Sequence, residues 1–149
     1  MIYIIDYDKA GVKEASDLFS KYNDEITIGK NEVDALNADK IVLPDTKHPG
    51  KALRKLHLYN LYSALRIYNK PILGLGNGFA LMCVNINNRE ALGFFRYNTI
   101  VTEDEIKIIN IENNLSFEGE VFSKGNYYGI ISRISSPETE DFIKKFIES

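Results

Sequence analysis

The stretch Pro71-Ile-Leu-Gly-Leu-Gly-Asn-Gly-Phe79 decides how this chain is read. A short apolar run enters a Gly-x-Gly-x-Gly turn and continues at once into Phe79-Ala-Leu-Met-Cys-Val84, which is compatible with a helix. Glycines flank the middle of such a turn because the chain reverses tightly there, and the apex residue sits in a strained backbone conformation. This is the outline of a nucleophile elbow. Its apex, however, is Gly76, and acyl transfer needs Ser, Cys or Thr at that point to attack a carbonyl carbon. The segment has the shape of a catalytic turn without a reactive atom.

Working outward, Ile2-Tyr-Ile-Ile5 and Lys40-Ile-Val-Leu-Pro44 run apolar without alternation, as parallel strands covered on both faces do. Residues 25–28 read as a further short strand and Pro71–Leu75 as the strand leading into the elbow. Val12, Ala15, Leu18, Phe19 and Tyr22 form an apolar stripe at helical spacing, so residues 10–22 read as a helix. Leu53, Leu56, Leu61, Ala64, Leu65 and Tyr68 predict one long helix over residues 49–68. The resulting order of alternating strands and helices is that of an open, mostly parallel α/β sheet with helices on both faces. After Asn85 the character changes: residues 99–102, 105–111, 115–122 and 127–132 read as short strands between turn formers. They are expected as antiparallel additions to the sheet edge. Pro137 opens a last helix, with Ser136 as its cap and Phe142, Ile143, Phe146 and Ile147 as its buried stripe.

The 149 residues fit a single domain, and 44% hydrophobic with 26% charged residues is an ordinary globular balance. The N-terminus lacks the basic and long apolar regions of a signal peptide, and no run approaches the roughly 20 apolar residues of a membrane helix. The single cysteine, Cys83, excludes an internal disulfide. Together these features predict a cytoplasmic protein with no membrane or nucleic-acid partner. The net charge of −3 conceals an asymmetry: residues 46–89 hold Lys47, Lys51, Arg54, Lys55, Arg66, Lys70 and Arg89 and no acid at all. Such a block is either a solvated helix face or a surface for an anionic ligand or acidic partner.

The remaining reactive residue types are isolated. Cys83 falls about two helical turns beyond the apex, some 10 Å along the helical rise, and reads as a core residue. His48 and His57 have no third ligand beside them, so no metal or other cofactor is expected. Tyr127-Tyr-Gly129 reads as packing within a strand and not as a base-stacking platform.

Residues 72–80, Ile-Leu-Gly-Leu-Gly-Asn-Gly-Phe-Ala, resemble the Gly-Ile-Cys-Asn-Gly-Phe-Gln signature of class I glutamine amidotransferases. The Asn-Gly-Phe ending is most similar to the glutaminase subunits of phosphoribosylformylglycinamidine synthase, an enzyme of purine biosynthesis. Ile41-Val-Leu-Pro44 stands where the family has the strand ending Leu-Pro-Gly-Gly, and residues 91–98 resemble its Gly-Ala-Leu-x-x-Asn stretch. Gly125-Asn-Tyr-Tyr-Gly-Ile-Ile131 stands where a strand leads to the family's His-Pro-Glu motif. The resemblance implies a flavodoxin-like fold in a chain shorter than the family's usual length. It also implies a missing triad: Gly76 in place of the Cys, Arg133 in place of the His and Ser135 in place of the Glu. Asp45 and Thr46 replace the glycines whose N–H groups would help form the oxyanion hole, and a carboxylate there opposes a developing negative charge.

Two readings stand on this resemblance. One is a glutaminase-like subunit without glutaminase activity, which binds a synthetase partner or a second copy of itself through the basic segment 47–70. The other is a small-ligand module in which Asp45, Thr46, Gly74, Asn77, Gly78 and Arg133 surround an anion or a nucleotide phosphate in the emptied elbow. Turnover of glutamine to ammonia contradicts both.

Overall fold

The computed structural model describes residues 1–22, 25–103, 105–117, 119–131 and 137–149. In chain order the elements are β1 (Ile2–Ile5), α1 (Lys9–Ser20), β2 (Ile26–Gly29), α2 (Glu32–Asn37), β3 (Lys40–Leu43), α3 (Pro49–Leu58), α4 (Leu61–Ile67), β4 (Ile72–Leu75) and α5 (Asn77–Met82). They continue with β5 (Cys83–Ile86), β6 (Arg89–Glu90), β7 (Phe95–Val101), β8 (Ile106–Asn110), β9 (Ser116–Phe117), β10 (Val121–Lys124), β11 (Tyr127–Ile130) and α6 (Pro137–Glu148).

The main sheet has the strand order β10-β11-β4-β3-β1-β2. All of its pairings are parallel except the β10–β11 hairpin at one edge. This is a flavodoxin-like α/β fold, as the apolar runs and the helical stripes predict. The unbroken apolar strands have a direct structural reason. Along β1, Ile2 and Ile4 face a core shared with Val12, Phe19, Ile143 and Phe146, while Tyr3 and Ile5 face a second core with Leu53, Leu56, Leu65 and Phe79. Helices α1 and α6 therefore cover one face of the sheet and α2 to α5 the other. The stripe of Phe142, Ile143, Phe146 and Ile147 packs as expected, whereas Ser136 lies outside the described residues.

Three expectations need correction. The long helix over 49–68 is two helices, because Asn60 takes the left-handed conformation at φ 62° and turns the chain between Leu58 and Leu61. Asn tolerates that region better than most residues. The apolar stripe itself marks the break, since Leu56 and Leu61 are five residues apart where a continuous stripe would repeat at three or four. Second, the elbow helix stops at Met82, and Cys83 begins a strand. That strand turns at Asn87 and Asn88, both left-handed at φ 49° and 64°, as a two-residue hairpin requires. Third, most of the strands after the elbow do not extend the main sheet. They form a separate sheet of order β6-β5-β7-β8-β9, and only the β10–β11 hairpin joins the main one.

Phe79 holds the elbow helix against both sheets: it is fully buried and its ring lies 4.5 Å from Phe122 and 5.2 Å from Phe95. Truncation to alanine leaves a void that rigid strands on both sides cannot fill. Phe79→Ala is expected to destabilise by about 3–5 kcal/mol. That lowers the melting temperature by roughly 10 °C, read by thermal denaturation, since each kcal/mol is worth about 2–4 °C at this size.

Candidate functional site

The elbow stands at the C-terminal end of β4, inside the parallel sheet, where open α/β sheets hold their ligands. Gly76 caps α5 with φ 55° and ψ −121°. A side chain in that region costs about 1–3 kcal/mol of strain, and a glycine does not incur it. The Gly76 N–H donates to the Ile130 carbonyl at 2.7 Å, so the apex is tied to β11. Gly78 lets α5 approach the end of β3, because a Cβ there would collide with the carbonyl oxygens of Leu43 and Pro44. With Gly74 on β4 beneath the helix, the turn lies against the strand ends.

The space that a side chain at the apex would enter is occupied. A Cβ built on Gly76 would stand 2.6 Å from both Cγ and Oδ1 of Asp45 and 2.9 Å from Oδ2. Asp45 Oδ1 accepts from the Thr46 N–H at 2.8 Å and from the Asn77 N–H at 2.9 Å. Asn77 follows the apex, and in elbow enzymes the N–H at that place is an oxyanion-hole donor. Here it serves the protein's own carboxylate. The Asn77 side chain donates to the Thr46 carbonyl at 2.7 Å, while its buried Oδ1 has no hydrogen-bond partner among the described residues.

Behind Asp45 the network continues into α1. The buried Thr46 hydroxyl donates to Asp8 Oδ2 at 2.8 Å and accepts from the His48 N–H at 3.0 Å. Asp8 caps α1 by accepting from the Gly11 N–H at 3.1 Å. Partial burial pushes the Asp8 carboxyl up, but the Gly11 N–H, the Thr46 hydroxyl, the Ala10 N–H and the positive field of His48 outweigh it and hold it below its ordinary value. On the other side Tyr7 donates to the Pro44 carbonyl at 2.6 Å, and Lys55 of α3 donates to the Tyr7 carbonyl at 3.0 Å. Burial, with Asp45 and Asp8 nearby, raises the Tyr7 hydroxyl well above its usual pKa, so it stays a neutral donor.

A cleft of about 370 Å³ opens over the elbow between α1 and α6, within the size range of ligand pockets. Its floor includes Leu75, Gly76 and Ile130, and its walls include Leu18 and Ile143. Among the described residues, Glu14, Asp17, Asp45 and Glu140 line it with Lys21 as the cation. The structure thus brings Asp45, Thr46, Gly74, Gly76, Asn77 and Gly78 together. Arg133 and Ser135 lie outside the described residues. Cys83 is buried, its thiol donates to the Phe79 carbonyl at 3.5 Å, and burial raises its pKa. It does not line the elbow cleft. No cluster of metal-ligating side chains occurs among the described residues, and no described helix is long and apolar enough to cross a membrane.

An elbow atop a parallel strand of a flavodoxin-like sheet is the arrangement that the resemblance to glutamine amidotransferases implies, and comparison with known proteins supports that class. No model of a known protein family matches the chain. It is similar to imidazole glycerol phosphate synthase subunit HisH 1 of Campylobacter jejuni strain 81-176, with 28% identity over 115 residues, 72% of this chain and 57% of that protein. It is also similar to HisH 1 of Vibrio vulnificus strain YJ016, with 30% identity over 81 residues, 54% of this chain and 40% of that one. The similarity spans about half the length of these curated relatives. It is a distant relation to glutamine amidotransferase subunits.

The depressed Asp8 pKa has a stability consequence. The folded protein favours the ionised carboxylate, so this contribution is complete above the unfolded value of about 3.9 and disappears as pH falls through the lower, folded value. Asp8→Asn retains a capping oxygen but not the charge. Its melting temperature is expected below wild type at pH 7, with the two curves converging below about pH 4. Parallel curves would show that the charge of Asp8 contributes nothing.

Proposed function

We propose that this chain is a glutaminase-like subunit without glutaminase activity, which acts by binding a synthase-type partner. The observation that carries this reading is the Asp45 carboxylate, which fills the place of a nucleophilic side chain and takes the Asn77 N–H that would otherwise stabilise an oxyanion. Both needs of acyl transfer, a nucleophile and free donors, are unmet at one point in space. The partner follows from the relatives, which are subunits of imidazole glycerol phosphate synthase by name. The Asn77-Gly-Phe79 ending favours in addition a relation to phosphoribosylformylglycinamidine synthase, so both synthases are candidates for the binding test.

The alternative, an anion or nucleotide phosphate in the emptied elbow, has less support. An anion there would meet the Asp45 carboxylate already on the donors and three further carboxylates around the cleft. The Asp45 carboxylate, already on those two N–H groups, opposes a second negative charge at the same place.

Ammonia release from glutamine tests the main reading. None is expected from the purified chain, either alone or with either synthase. Gly76→Cys is also expected to release none and to melt at a lower temperature, because the new Cβ drives the Asp45 carboxylate off the Thr46 and Asn77 N–H groups. Turnover by the wild-type chain above a no-protein control overturns the proposal.

A further inference from the structure

The basic block of residues 46–89 takes on a definite shape in the fold. Lys51, Arg54 and Leu58 recur at three and four residues on α3, and all three are exposed. With Lys55 and His57 they line one open groove. Leu58, the last residue of α3, is 74% exposed, a large aliphatic side chain held in water beside these cations. The patch extends onto α4: the His57 ring stacks on Tyr62 at 4.1 Å and the Arg66 guanidinium lies 5.8 Å from the same ring. Ile67, next to Arg66, is 73% exposed. Arg89 reaches the start of α3, its Nη1 lying 3.3 Å from where a Cβ on Gly50 would stand.

Local helix physics disfavours this arrangement. Like charges at helical spacing repel, and no acid occurs between residues 46 and 89 to separate them. Lys51 lies in the first turn, where the helix dipole disfavours a cation, and that turn carries no acid and no side-chain cap. The ion pairs among the described residues join Met1 to Asp39, Lys13 to Asp17 and Arg96 to Glu112, so none neutralises this face. Among the described residues, Lys51 and Arg54 have no acidic partner and Leu58 and Ile67 are left exposed.

We propose that the exposed face of α3 and the start of α4 is a docking surface for an acidic protein segment carrying apolar side chains. Carboxylates of the partner would pair with Lys51, Arg54 and Arg66, and its apolar groups would cover Leu58. The apolar element selects protein over nucleic acid, since a phosphate backbone satisfies the cations and leaves Leu58 wet. This rests on the reading of the chain as a partner-binding subunit and names the surface that does the binding.

Fluorescence anisotropy with a synthetic glutamate–leucine helical peptide tests it, using the intact chain. Binding is expected, weakening as salt rises. Lys51→Glu with Arg54→Glu should reduce affinity by at least about tenfold, and Leu58→Ser should reduce it severalfold with the salt dependence retained. These side chains are exposed, so no variant should melt below the parent, and the double glutamate variant should melt slightly above it because it relieves the like-charge repulsion and puts an acid in the first turn of α3. The proposal is overturned if the peptide does not bind, if Leu58→Ser leaves affinity unchanged, or if a short DNA duplex or phosphatidylserine vesicles bind more tightly than the peptide. Its failure is separable from that of the functional reading: ammonia release sinks the latter without touching peptide binding, and loss of peptide binding leaves the blocked elbow in place.

Discussion

The structure turns on one carboxylate held by two backbone N–H groups. Asp45 stands in the loop just after β3, and its Oδ1 bridges the N–H of the next residue, Thr46, to the Asn77 N–H at the start of the elbow helix. That bridge joins two loops at the C-terminal edge of a parallel sheet, where unpaired strand-end groups otherwise face solvent or ligand. A charged acceptor on a backbone N–H is among the stronger hydrogen bonds available to a protein. Glycine at position 76 is what leaves room for it, since any side chain there would displace the carboxylate. The empty apex and the acid are therefore a matched pair: each explains why the other is tolerated.

From this pair the rest of the edge is organised in series. Thr46 passes the link to Asp8 and so to the N-terminus of α1, and Pro44 passes it through Tyr7 to Lys55 on α3. The two helices lie on opposite faces of the sheet, so the elbow region ties both cores together at their upper rim. A site built for turnover usually keeps its donors free for the reacting atoms. Here, among the described residues, the Gly76 N–H is taken by the Ile130 carbonyl and the Thr46 and Asn77 N–H groups by the Asp45 carboxylate. On the α3 side Lys51, Arg54 and Leu58 are exposed, and none of the ion pairs among the described residues involves them.

The main sheet was legible because each parallel strand is covered on both faces and so reads as an unbroken apolar run, as in Ile2–Ile5 and Lys40–Leu43. The elbow was legible because three glycines at alternate positions have few other uses between a strand and a helix. What escaped was set by single asparagines. Asn60 divides the helical stripe, and Asn87 with Asn88 reverses the chain into a second sheet. Asn enters the left-handed region only where the neighbouring structure draws it there, so its presence in a sequence does not announce a turn. The identity of Asp45 was visible and its conflict with an oxyanion followed from resemblance. Its position against Gly76 was not visible, since the two residues are brought together by the β3–β4 pairing and not by spacing along the chain.

The most direct test of the central claim is amide hydrogen exchange at Thr46 and Asn77, followed residue by residue by heteronuclear NMR. Both N–H groups donate to the same Asp45 oxygen, so both should be protected in the wild-type chain and both should lose that protection in Asp45→Ala. An Asn77 amide that exchanges freely with water in the wild-type chain would contradict the account, because the elbow would then be open.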